Sequence, residues 1–208
     1  MKQDTKHKII EAGARIIHLK GYYHTGIQEV LDAAGVPKGS FYFYFKSKDD
    51  FGLQVIDFFN SMYLGMVDPI AKNKALPPLK RIEKIFDYFI DLFQGLNYTC
   101  GCPIGNLSQE MGDLSQAFGS KLAASVDDMA QIYKHLLDQA KEEKEISQGL
   151  NTQETAEFIV SSWHGSLMKM KISKSIAPLK LHKQFILDIL TVGNHSLVSG
   201  PVSDQSNE

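Results

Sequence analysis

The sequence predicts an all-α protein: a small N-terminal head of three helices, a long connecting helix and a larger helical body. Three observations carry this. Apolar residues recur at helical spacing in nearly every segment, and no stretch alternates with the period of two of a half-buried strand. The segments are separated by Gly, Pro and Ser/Thr/Asn caps. Of 208 residues, 43% are hydrophobic and 22% charged, a composition that supports a sizeable buried core.

A first helix is predicted from about Asp4 to Lys20, with Ile9, Ala12, Gly13 and Ile16 on its apolar face and Gly21 as its stop. Thr25-Gly-Ile-Gln28 matches a capping box, Thr25 accepting from the third amide and Gln28 reaching back. It opens a helix with Ile27, Val30, Leu31 and Ala34 on one side, ended by Gly35. After Pro37 comes GSFYFYFKSK, residues 39–48. Read as a helix, this stretch stacks Phe41 and Phe45 on an inward face and turns Tyr42 and Tyr44 elsewhere, with Lys38 and Ser40 near its start.

Ser47 followed by Lys48-Asp49-Asp50 is an N-cap with acids in the first turn. Its helix, with Phe51, Val55, Phe58, Phe59 and Met62, reaches the region of Pro69. Pro77-Pro78 starts the next, whose apolar face is Leu79, Ile82, Ile85, Phe86, Phe89 and Phe93. The break GLNYTCGCP precedes a short helix from Pro103 to about Met111, and a longer one runs from about Ser115 to Lys144. Asn151 with Glu154 caps a helix containing Trp163 and Leu167, and Pro178 opens the last one. The expected division is a head at 1–47, a body at 48–192 and a polar tail at 193–208.

Charge and cysteine content narrow the functions. The net charge of −2 hides an asymmetry: residues 1–50 hold eight Lys/Arg against six Asp/Glu, leaving 14 against 18 in the remainder. A polyanion-binding end on an acidic protein fits this split. No apolar run approaches the roughly 20 residues of a membrane span, and the N-terminus lacks an apolar signal core. With Cys100 and Cys102 alone there is no disulfide framework or four-ligand zinc pattern, which suits a reducing, cytoplasmic setting. No acid/base pair, nucleophile–His arrangement, phosphate loop or metal set suggests an enzyme, and no cofactor is expected.

Two short helices joined by a tight turn suit a helix-turn-helix, whose second helix enters the DNA major groove. Tyr, Ser and Lys donate readily to phosphate oxygens, and Gly39 lets the backbone approach another surface closely. Ala12, Gly21-Tyr22, Thr25, Ile27, Ala34-Gly35-Val36, Gly39-Ser40-Phe41-Tyr42, Phe45 and Ser47-Lys48 form a spaced pattern over residues 9–51. This pattern resembles the DNA-binding region of the TetR/AcrR family of bacterial regulators. The resemblance implies a ligand-responsive regulator, a repressor that binds a palindromic double-stranded operator as a homodimer and is released by a small-molecule inducer. An activator would share the fold. It further implies phosphate contacts from Thr25, Tyr42, Tyr44 and Lys48, with Lys38, Gly39, Ser40 and Phe43 in or beside the groove and Gln28 a further contact. Phe43 suits a thymine methyl or a satellite packing contact equally. Pro37 departs from the Ser/Thr cap that many members carry at that position.

In the family the last two helices form a four-helix bundle with those of a partner. Here that implies an interface of Gly165, Leu167, Phe185, Ile189 and Leu190, unless these residues close the monomer's own core. The middle helices would enclose an inducer pocket lined by Phe86, Phe89, Phe93, Cys102, Tyr133, Trp163, His164 and Met168, though aromatics at this spacing also suit a plain core. The GC-x-x-G-N-L stretch starting at Gly101 resembles a subgroup in which some members sense electrophiles or small unsaturated compounds. Cys102 precedes a helix start, where the dipole favours a thiolate. The other reading makes it a small buried hydrophobe. A thiol-based redox or electrophile-responsive protein, or an enzyme using Cys102, is the competing function.

Overall fold

The computed structural model describes residues 2–195, which form nine α-helices and one 3-10 turn and contain no strand. The first helix, α1 (Lys2–Lys20), ends where Gly21 adopts a φ of +87°. A side chain at Gly21 would also press on the Glu110 carboxylate, 2.8 Å from a Cβ there, so this position needs glycine twice over.

Helix α2 (Ile27–Ala34) forms without the expected capping box. Thr25 is only 2% exposed, and its hydroxyl donates to the Gly21 carbonyl at 2.7 Å. Gly26 stands at the N-cap with no side-chain bond, and the Gln28 amide donates to Asp32 at 2.6 Å. Closing the tight loop behind α1 takes the hydroxyl that the cap would have used. The other end follows expectation: Gly35 is left-handed at φ +65°, and its amide and that of Val36 bond back to Asp32 and Leu31.

The aromatic run becomes a 3-10 turn at Lys38–Ser40 followed by α3 (Phe41–Tyr44), a single turn that ends as Phe45 goes extended. Phe41 and Phe45 are fully buried, with ring centroids 5.0 Å apart, and Phe51 closes the triangle at 5.5 and 5.1 Å. Phe51 lies in the first turn of α4 (Lys48–Ala71), capped by Ser47 Oγ accepting from the Asp50 amide at 3.0 Å. This helix passes through Pro69 near its end. A Cβ on Gly13 would fall 2.1 Å from the Phe51 ring, so α1 and α4 cross as closely as they do because Gly13 has no side chain.

The body comprises α5 (Pro78–Gly95), α6 (Pro103–Met111), α7 (Gln116–Glu142), α8 (Thr152–Ser173) and α9 (Ala177–His195). Asn151 caps α8 by accepting from the Gln153 and Glu154 amides. The core continues across the expected division at residue 47: Tyr22 of the head packs on Phe118 of α7 at 5.1 Å. Buried Arg81 joins three elements, donating to Ala71 O at 2.9 Å and Gln139 Oε1 at 2.7 Å. Helix α9 continues three residues past the expected start of the tail, and the rest of that tail lies outside the described residues.

Candidate functional site: a nucleic-acid face and an apolar cavity

Two places in the fold gather the residues singled out in the sequence. The first is the outer face of the head. Because Phe41 and Phe45 anchor α3 inward, Tyr42 and Phe43 are forced outward and stand 70% and 64% exposed. Gln28, Lys38 and Gly39 are also exposed, while Ser40 and Tyr44 are half-buried. Nothing lies within 4 Å of the place a Cβ on Gly39 would occupy. Among the described residues, no carboxylate pairs with Lys38. Tyr44 leans on the Phe43 ring at 5.0 Å and on the core.

Two predicted contacts are placed differently from the rest. Thr25 is buried with its hydroxyl committed to Gly21 O, so it shapes the loop and offers no free side chain to phosphate. Lys48 is half-buried at the junction of head and body, its ammonium 4.5 Å from the centre of the Tyr22 ring. Tyr22 in turn donates to Asp49 at 2.6 Å, and burial with this bond drives its phenol pKa far up.

The second place is a cavity of about 250 Å³, lined from α4, α5, α6, α7 and α8 of the body and by His18 of α1. Six of the eight expected pocket residues line it: Phe89, Phe93, Cys102, Tyr133, Trp163 and His164. Phe86 does not. It is fully buried behind the wall, its ring 5.8 Å from Tyr133 and 5.4 Å from Trp163. Met168, 53% exposed, is also absent from this wall and lines the adjoining cavity instead. Sequence reasoning missed the contribution of α4, namely Phe59, Met62, Tyr63 and Met66. The signal was available: α4 carries more apolar residues than one core-facing stripe requires. Tyr63 stacks on Phe89 with planes 7° apart, and its phenol is held neutral by burial and by bonding to Tyr133.

Cys102 faces the cavity at the N-terminus of α6, yet its thiol pKa is raised. Burial outweighs the opposing amides of Gly105 and Ile104. The expected dipole-stabilised thiolate is therefore corrected: Cys102 is a protonated wall residue, and both cysteines are free. Burial likewise lowers the pKa of His164 in the same wall, favouring neutral imidazole. Among the described residues no cluster of three or more His, Cys, Asp or Glu is placed to hold a metal ion. Among the described residues, no helix is long and apolar enough to cross a membrane.

The expected interface residues separate into two sets. Gly165, Phe185 and Ile189 are exposed. Leu167 and Leu190 are 3% and 2% exposed and pack inward, so they belong to the monomer core and are withdrawn as interface residues. Phe158 of α8 and Leu181 of α9 are also more than half exposed.

Both the head and the body match known protein families. Residues 9–55 match the family model described as bacterial regulatory proteins, tetR family. Residues 78–186 match the one described as tetracyclin repressor-like, C-terminal domain. The chain is 30% identical over 171 residues to the HTH-type transcriptional repressor DhaR of Mycobacterium sp. (strain GP1), covering 82% of this chain and 84% of that protein. It is 32% identical over 171 residues to the transcriptional regulator AcuR of Cereibacter sphaeroides, covering 82% and 78%. The crystal structure of a regulatory protein TetR from Rhodobacter sphaeroides superposes with a TM-score of 0.82 at 30% identity, over 88% of this chain and 97% of that one.

Proposed function

The chain belongs to the TetR family of bacterial regulatory proteins, and on that premise we propose that it is a cytoplasmic homodimeric repressor. It binds a palindromic DNA operator and is released when a small molecule occupies the cavity of the body. The observation that carries this is the outward pair Tyr42 and Phe43, held at high exposure by two fully buried phenylalanines of the same turn. A phenol and a phenyl turned outward side by side suit one phosphate contact and one apolar base contact. Gln28, Lys38, Gly39, Ser40, Tyr44 and Lys48 flank the pair and complete the proposed DNA face.

A dimer is needed to read two half-sites about one helical turn apart, and the exposed apolar residues of α8 and α9 are the proposed interface. The cavity, apolar with two phenols and two histidines in its wall, has the character of a small-molecule site. Inducer acts by binding the non-DNA conformation more tightly than the DNA-bound one. Repression is favoured over activation by the name of DhaR. The GC-x-x-G-N-L stretch starting at Gly101 supports placing the chain in the corresponding subgroup. The raised thiol pKa of Cys102 argues against its use as a reactive thiolate there.

The test is a titration of purified protein with duplexes from the region upstream of its own gene and its neighbours. An inverted repeat should bind about 10³-fold or more tighter than random duplex at physiological salt. Equal binding to every inverted repeat and to random duplex would overturn the reading.

A further inference from the structure

A second cavity, about 410 Å³, adjoins the apolar one and shares His18, Phe59, Cys102 and His164 with it as wall residues. The apolar chamber alone is smaller than the usual small-molecule site of about 300–1,000 Å³, whereas the two together lie within that range. The second chamber differs in chemistry, because Asn106, Glu110 and Lys171 face it.

Lys171 is the only ammonium or guanidinium among the described residues lining either chamber. Its one polar partner among them is a neutral amide oxygen, Asn106 Oδ1, at 3.4 Å. That amide is itself fixed, since Asn106 Nδ2 donates to the Cys100 carbonyl at 2.9 Å. The lysine stem rests on Gly101, where a Cβ would sit 3.1 Å from Lys171 Cδ and where φ is +78°. Glu110 forms no ion pair with the lysine, and both its oxygens accept backbone amides of the head. A positioned cation without a carboxylate partner, at the mouth of an apolar chamber, is half of a recognition site for an anion.

We infer that the inducer is an amphipathic monocarboxylate, its apolar body among Tyr63, Phe93, Tyr133 and Trp163 and its carboxylate on Lys171. A single charge fits and a double one does not, since the Glu110 carboxylate in the same wall repels further negative charge. The inference rests on the proposed reading that these chambers hold the inducer.

Trp163 is the only tryptophan of the chain and lines the apolar chamber, so its emission reports occupancy directly. The experiment titrates DNA-free full-length protein with two pairs matched in size and differing in charge: hexanoate against 1-hexanol, and 3-phenylpropanoate against 3-phenylpropan-1-ol. In at least one pair the acid should bind about tenfold tighter than the alcohol, the worth of one charge-assisted bond. Lys171→Met should remove that preference while alcohol affinity stays within about twofold, which also reports that the variant is folded. Lys171→Arg should retain it. Equal binding of acid and alcohol in both pairs, no response to any of the four, or a preference that survives Lys171→Met would each overturn the inference. Operator selectivity measured without ligand tests the repressor reading separately, so a selective protein with no acid preference overturns only the ligand class.

Discussion

The backbone amide of Tyr22 donates to Glu110 Oε2 at 2.9 Å, joining the loop after α1 to the last turn of α6. The other oxygen of the same carboxylate takes the Tyr23 amide, also at 2.9 Å. The first turn of α6 supplies Pro103 and Ile104 to the apolar cavity. A helix of nine residues is about 13 Å long, so one short rigid element connects the cavity wall to the DNA-binding head. Glu110→Ala should leave both amides without their acceptor, speed hydrogen exchange at Tyr22 and Tyr23, and lower stability by about 1–2 kcal/mol. Operator affinity should fall with it, and Glu110→Gln should lie between. Unchanged exchange at the two amides would show that this contact does not hold the head.

The DNA face separates two kinds of contact. Tyr42→Phe removes only a hydroxyl from an exposed ring and should weaken all operator sequences together by about two- to tenfold. Phe43→Ala should weaken binding only where a thymine methyl meets the ring, changing sequence preference. Both positions are more than 60% exposed, so melting temperature should hardly move in either variant. Binding assays on a set of single-base operator variants distinguish the two patterns. A uniform loss for Phe43→Ala would make it a backbone contact.

What the sequence revealed here follows the range of the forces involved. The caps at Ser47 and Asn151 and the stop at Gly35 are decided within four residues, and they form as expected. The inward choice of Phe41 and Phe45 was legible for the same reason, because residues four apart share one helical face. Thr25 was misread although its partner is equally near: its hydroxyl closes the loop behind α1 on Gly21 O, four residues back, in place of capping α2. Leu167 and Leu190 were misread for another reason. Helices α8 and α9 are apolar on two faces, one for the monomer core and one for the outer surface, and residue type does not tell which is which. The chamber shared by His18 and Lys171 was invisible, since it forms from helices 153 positions apart in the chain.

The outer faces of α8 and α9 give the proposed dimer a discriminating pair of substitutions. Phe185 is 58% exposed, whereas Leu190, five residues on, is 2% exposed. Phe185→Glu should place a charge in the interface and turn the dimer into monomer while helical content stays as it is. Leu190→Ala should instead lower stability by about 2–5 kcal/mol through a core cavity. Sedimentation equilibrium with circular dichroism reads both effects. A Phe185→Glu protein that remains fully dimeric would move the interface elsewhere.

His182 links stability to pH. It is 7% exposed, its ring edge-on to Phe86 and Trp163 at 5.4 and 5.3 Å, with Nε2 2.8 Å from the Ser162 hydroxyl. Its Nδ1 is buried without a hydrogen-bond partner. Burial pushes its pKa down to about 4, against about 6.5 for a free imidazole. Between those values the unfolded chain binds a proton that the folded one refuses, so stability rises with pH through this window. The contribution is fully present above about pH 6.5 and is lost as pH falls toward 4, amounting to about 3 kcal/mol. His18 and His164 are shifted in the same direction by burial and add to the slope. His182→Gln keeps a polar group for Ser162 and carries no charge at any pH. Unfolding measured from pH 4 to 7.5 at fixed protein concentration should therefore show a slope shallower by about one proton in the variant. Parallel curves for the two proteins would mean that His182 titrates normally in the fold.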